Sequence, residues 1–108
     1  MVMKKGMIKV TVLYPNSVGK TFNIDYYCNK HIAMVSKFLG DTLKGMTVEK
    51  GLGGVTPNSP APFVAMGNMY FDTLEAFQKA FSQADQLMAD IPNFTNIEPS
   101  FQISEVMM

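Results

Sequence analysis

Residues Phe63 to Phe71 are apolar or small on both of their alternating faces. Phe63, Ala65, Gly67, Met69 and Phe71 fall on one side. Val64, Met66 and Tyr70 fall on the other, where Asn68 is the one polar interruption. A strand with two apolar faces has to be covered on both of them. The rest of the chain must therefore supply neighbouring strands and two covering layers.

The flanking segments suit that demand. Met7 to Tyr14 sets Ile8, Val10, Val12 and Tyr14 against Met7, Lys9, Thr11 and Leu13, a strand pattern rich in β-branched residues. A loop through Pro15 to Gly19 leads to a helix that Thr21 is expected to cap. Its inward stripe reads Ile24, Tyr27, Cys28, His31, Val35 and Phe38, and Gly40 ends it. Gly45 to Val55 reads as a second strand carrying Met46, Val48 and Leu52, and the prolines at 57 and 60 mark a loop. After Phe71, a capping box of Asp72 or Thr73 with Glu75 opens a seam of Leu74, Phe77, Phe81, Ala84, Met88 and Ile91, closed by Pro92. Ile97 to Val106 is the last strand.

The order strand, helix, strand, strand, helix, strand predicts an α+β, ferredoxin-like βαββαβ fold. Its four-stranded antiparallel sheet carries two helices on one face. The chain reads as one domain over residues 1–108, with its core at about residues 7–106. Two helices leave the second sheet face bare. Four strands of about 17 Å at about 4.8 Å spacing give that face roughly 300 Å² before side-chain relief. An apolar patch of this size is near the limit for a soluble monomer, so the expectation is a homodimer packed sheet on sheet. A monomer with a polar outer face is the alternative.

Composition removes several function classes. Nine basic and nine acidic side chains cancel, and no basic stretch offers a footprint for nucleic acid or anionic lipid. The apolar run Met7–Tyr14 is too short and too polar for a membrane span or a signal peptide, which suggests a cytoplasmic protein. One cysteine and one histidine make neither an intrachain disulfide nor a conventional zinc site, so no metal is expected. Cys28 reads as a small buried apolar residue, with a catalytic thiol beside His31 as the sharper reading. Of ten methionines, Met34, Met66, Met69 and Met88 look internal, either as core filling or as an adaptable pocket wall.

Tyr27 and His31 lie one helical turn apart on the apolar face. A buried imidazole without a partner would lose about 1–3 kcal/mol, so a partner is expected. An imidazole exchanges protons near neutral pH, and a phenol beside it can donate to an enolate or phenolate oxygen. Isomerisation, cyclisation or decarboxylation next to a carbonyl would need these parts and no cofactor. Phe63, Met66, Met69, Phe77, Phe81 and Phe94 are candidates for the wall of a ligand pocket, and Asn68 for an orienting group. A non-catalytic carrier competes with this reading, since no activated nucleophile is present. Haem binding through the single histidine is a third option.

The segment from Phe22 through the pair Tyr26-Tyr27 to His31, and the stretch Asp90-Ile91-Pro92-Asn93-Phe94-Thr95-Asn96-Ile97-Glu98-Pro99, resemble two signatures of the EthD family. That family is named for the ethyl tert-butyl ether degradation protein EthD. The resemblance runs from about Met7 to Val106. It implies a dimeric α/β barrel with its helices outside, and a small apolar organic ligand held between sheet and helices. The family's biochemical role is poorly defined. Many relatives carry proline where this chain has Ala33. Proline would interrupt the helix there, whereas Ala33 lets it continue, and this bears on how His31 is aimed.

Overall fold

The computed structural model describes residues 4–108. Four strands, β1 (Ile8–Pro15), β2 (Gly45–Lys50), β3 (Phe63–Phe71) and β4 (Ser100–Glu105), form one antiparallel sheet in the order β2-β3-β1-β4. The doubly apolar Phe63–Phe71 run is an interior strand, paired to β1 with Val10 opposite Met69 and to β2 with Met46 opposite Met69. This is the ferredoxin-like arrangement expected from the order of elements.

Register fixes what each face carries, because side chains alternate along a strand. Val10, Val12 and Tyr14 of β1 point with Ala65, Met69 and Phe71 of β3 toward the helices, and all six are buried. Phe71 is fully enclosed. The opposite face carries Lys9, Thr11, Leu13, Val64, Met66, Asn68 and Tyr70, with no helix over it.

The first helical segment is not uniform. It begins as α1 (Ile24–Tyr26), widens to a π turn at Tyr27–His31, and continues as α2 (Ile32–Leu39). Asn23, rather than the expected Thr21, caps it, accepting the Tyr26 N–H at 3.0 Å. Thr21 is occupied elsewhere: its N–H donates to Asn96 and its carbonyl accepts from Thr95. In the π turn the Ile32 N–H donates to the Tyr27 carbonyl, an i→i+5 bond that spreads one turn over an extra residue. Cys28, Asn29 and Lys30 then all face solvent between buried Tyr27 and His31. Cys28 is consequently exposed and not the core residue that regular helical spacing implies.

The second helical seam is two helices, α3 (Leu74–Phe81) and α4 (Asp85–Asp90), followed by a 3-10 turn over Ile91–Asn93. Thr73 caps α3, accepting from Ala76 N–H at 3.0 Å. The Ser82 hydroxyl donates back to the Lys79 carbonyl, and Ala84 leaves helical geometry at ψ 21°, so the axis breaks there. The break turns Met88 outward, and it is 43% exposed, not internal. Two strands are shorter than their patterns suggest. β2 ends at Lys50, leaving Leu52 exposed, and β4 begins at Ser100 because Pro99 delays pairing. Among the described residues no helix is long and apolar enough to cross a membrane.

Candidate functional site

His31 closes the π turn and is 6% exposed. The Tyr27 ring lies nearly parallel to it, centroids 5.6 Å apart and planes 16° apart. Phe94 packs on it at 4.7 Å. Phe94 reaches this position because the chain after α4 folds back across the first helix. Phe22 bridges to Thr95, and Asn23 N–H donates to the Phe94 carbonyl at 2.7 Å. Tyr14, Phe22, Tyr27 and Phe94 form one aromatic cluster under the imidazole.

The partner that a buried imidazole requires is Asp90, the last residue of α4. His31 Nδ1 and Asp90 Oδ2 are 2.9 Å apart, and both side chains are buried. The Tyr26 hydroxyl donates to Asp90 Oδ1 at 2.8 Å and the Asn93 amide donates to the same oxygen at 2.9 Å. Burial opposes ionisation of Asp90. The hydrogen bonds from Asn93, His31 and Tyr26 outweigh it and hold the carboxyl below its ordinary range. An ionised carboxylate can only accept, so Nδ1 carries the proton and the neutral ring's lone pair lies on Nε2. Among the described residues no protein group bonds Nε2, and no buried side-chain nitrogen or oxygen there lacks a partner. Nε2 is therefore not fully buried.

His31 also lines a small apolar cavity between the sheet and the helices, about 40 Å³, with Tyr14, Met69, Phe81, Met88 and Phe101 among others. It holds little more than one water molecule. Of its lining, Met88 and Phe101 are 43% and 47% exposed. A larger groove lies elsewhere, about 590 Å³ between α2 and α3 beside Phe38, Thr42, Lys79 and Gln83. It holds no histidine or carboxylate, so size alone does not make it the chemical site.

The candidate residues separate into groups. His31, Met69 and Phe81 line the cavity together. Tyr27 and Phe94 pack on the imidazole ring from behind the cavity wall. Burial pushes the Tyr27 phenol up to about 12, partly offset by its contact with Tyr14. A side chain at Gly67 would collide with the Tyr27 hydroxyl, so β3 needs glycine there. Phe77 packs against Phe71 and Phe81, at 5.4 and 4.8 Å, and does not reach the cavity. Phe63 lies at the far end of β3, opposite Pro15. Met66 and Asn68 are on the helix-free face, across the sheet from His31. Asn68 there accepts from Thr11 at 3.1 Å and donates to Thr47 and Glu49 at 3.1 and 2.7 Å.

Sequence reasoning missed Asp90, Tyr26, Asn93 and Tyr14. A usable signal was present: Asp90 is a carboxylate at the end of an apolar seam, just before a helix-ending proline. Among the described residues no group of three or more His, Cys, Asp or Glu side chains is gathered as metal ligands would be.

A ferredoxin-like sheet with an imidazole–carboxylate pair buried under its helices defines the class of this protein. The family model for the EthD domain matches residues 18–98. An EthD-like protein from Ralstonia eutropha JMP134 is 42% identical, with a TM-score of 0.90 over 97% of this chain and 96% of that one. The chain belongs to the EthD family. An EthD family protein from Bacillus halodurans C-125 shares the fold at 24% identity and a TM-score of 0.72, covering 94% of this chain and 99% of that one. SnoaB from Streptomyces nogalater, described as a cofactor-independent oxygenase, shares only the fold. It is 7% identical, with a TM-score of 0.59 over 97% and 96% of the two chains. No curated protein matches the chain.

Proposed function

We propose that this EthD-family protein binds a small, uncharged, apolar organic molecule beside His31 and moves a proton on it. The observation that carries this reading is the pairing of the imidazole: Asp90 holds the proton on Nδ1, which leaves the lone pair on Nε2, and His31 lines the cavity. The wall is aliphatic and aromatic apart from His31 and the Tyr14 phenol, and the chain contains no arginine. Nothing here clamps a carboxylate or phosphate, so an uncharged substrate fits best.

In the proposed step Nε2 takes a proton from a carbon next to a carbonyl, and the C–H electron pair passes into an enolate. The imidazolium that forms is stabilised by Asp90. Tyr14 lines the same cavity; burial and its contact with Tyr27 raise its phenol, so it keeps its hydrogen, which in the proposed step turns from Tyr27 to the enolate oxygen. Tyr27 supports the ring by stacking. Entry of anything larger than water requires Met88 and Phe101 to move aside.

The same reading places two copies face to face. The helix-free sheet face presents Leu13, Val64 and Met66 around the Asn68 network, and a second copy covers it. A dimeric ferredoxin-like protein of unknown function from Thermobifida fusca shares the fold at 14% identity and a TM-score of 0.60.

β-Tetralone, a neutral ketone with an acidic C–H, is a suitable probe. Solvent deuterium should enter its α-carbon faster with the wild type than with His31→Ala, by roughly 100-fold or more. Binding of the probe next to His31 without any exchange would favour a carrier. Absence of both binding and exchange would remove the site.

A further inference from the structure

Tyr26 and Tyr27 are neighbours in sequence but serve the imidazole differently. Tyr27 stacks on the ring, whereas Tyr26 reaches the carboxylate that pairs with it. The two oxygens of Asp90 are used separately. Oδ2 meets His31 Nδ1 at 2.9 Å. Oδ1 accepts the Tyr26 hydroxyl at 2.8 Å and the Asn93 amide at 2.9 Å. These donors come from the first helix and from the 3-10 turn after α4, so Oδ1 is held by two elements. The Tyr26 ring lies on Phe94, centroids 6.3 Å apart and planes 25° apart, and Phe94 in turn packs on His31. The bond to Asp90 raises the Tyr26 phenol above its ordinary range, so it keeps its hydrogen and donates. The titratable groups around the pair are Tyr26 and Tyr27 from the first helix and Tyr14 from β1, which lines the cavity with His31. Cys28 and Lys30 of the same π turn face solvent, and among the described residues no lysine lies within ion-pair distance of Asp90.

We propose that Tyr26 is a positioning residue for the base: its hydroxyl, together with the Asn93 amide, fixes the rotation of the Asp90 carboxylate and takes up part of its charge, so that Asp90 orients the imidazole without converting it to imidazolium. This rests on the reading of His31 as a base. The need is chemical. A base must carry a lone pair before its substrate arrives. A buried carboxylate with no other partner favours the charged ring, which has no lone pair to offer. Donors at Oδ1 stabilise the carboxylate by themselves, so it depends less on a positive charge at His31. They draw negative charge toward Oδ1 and away from Oδ2. They also hold the carboxylate plane, which keeps Oδ2 opposite Nδ1. Tyr26 does not line the cavity, so it acts through Asp90 and His31 and never on the substrate itself.

The test is a pH titration of substrate-free protein labelled with 15N-histidine, in which the ring signals belong to the chain's single histidine. Tyr26→Phe keeps a ring on Phe94 and removes only the hydroxyl. Asn93→Ala removes the other donor from an exposed position. Asp90 is 6% exposed, so water replaces either donor poorly. Each substitution should raise the pH midpoint at which the ring takes up its second proton by about 0.5–1 unit, and the double variant should raise it further. The sign separates this role from a merely structural one. Looser packing would let water screen the carboxylate from the ring, and the midpoint would fall. An unchanged or lower midpoint in Tyr26→Phe overturns the proposal, and Asn93→Ala applies the same criterion if Tyr26→Phe does not fold. Because no substrate is involved, such a failure leaves the β-tetralone result standing, and a negative β-tetralone result leaves the titration readable.

Discussion

Replacing Asp90 separates the two things its carboxylate does. Asp90→Ala removes three hydrogen bonds at once, from His31 at 2.9 Å, Tyr26 at 2.8 Å and Asn93 at 2.9 Å. Tyr26 and Asn93 are partly exposed and recover water, so their loss is small. His31 is buried and does not. Losing its charge-assisted bond and leaving Nδ1–H unpaired costs about 1.5–3 kcal/mol, for a total near 2–4 kcal/mol. Asp90→Asn behaves differently. Its carbonyl oxygen can still accept from Tyr26 and Asn93, while its amide must donate to Nδ1. The imidazole then changes tautomer and carries its proton on Nε2, at a stability cost of about 1 kcal/mol. Urea unfolding reads the difference: with m near 1–1.5 kcal/mol/M, the two variants should separate by roughly 1–2 M in midpoint. The pH dependence has a fixed sign. Asp90 is depressed in the folded state and ordinary, 3.8, when unfolded, so its contribution is full above that value. It is lost as pH falls through the lower folded value, and the gap between wild type and Asp90→Ala closes there. An Asp90→Ala midpoint within error of Asp90→Asn at neutral pH would refute the buried-bond reasoning.

Gly67→Ala should destabilise by about 1–3 kcal/mol, because its methyl group meets the Tyr27 hydroxyl; adding Tyr27→Phe should restore most of the loss in thermal unfolding. Burial raises both Tyr14 and Tyr27, the latter to about 12, so their stabilising contribution is complete below pH 10 and is lost as pH rises beyond it; ultraviolet titration should show these phenols ionising after the others. Cys28 should react with a thiol reagent in the native state at a rate close to that in urea, since the π turn exposes it; slow native labelling would contradict that turn. Sedimentation equilibrium at micromolar concentration should give twice the 12.0 kDa chain mass, and a species of single mass would remove the face-to-face pair.

The fold was legible wherever one side-chain period ran without interruption. β3 is placed to the residue because all nine positions but Asn68 are apolar or small, and six of the nine are buried. The strand order and the covering of one face follow from the succession of elements. Patterning failed where a local hydrogen bond overrode it. The i→i+5 bond at Tyr27 turned Cys28 outward, and the Ser82 back-bond divided the second seam and exposed Met88. The site was half legible. His31 and its stacking neighbour Tyr27 are four positions apart, so sequence spacing pairs them. Asp90 is 59 residues from His31, and only the fold brings them together. Met66 and Asn68 illustrate the limit on a strand that is apolar on both faces. Period two separates the faces but does not say which one the helices cover, and these two lie on the uncovered one.

The chemistry of the site turns on which imidazole nitrogen is bare. With a single histidine in the chain, the 15N spectrum of histidine-labelled protein, recorded with the ring in its neutral form, reads that atom directly. A protonated Nδ1 beside an unprotonated Nε2 is the expected result. The reverse tautomer would mean that Asp90 does not hold the ring and that no lone pair meets the cavity.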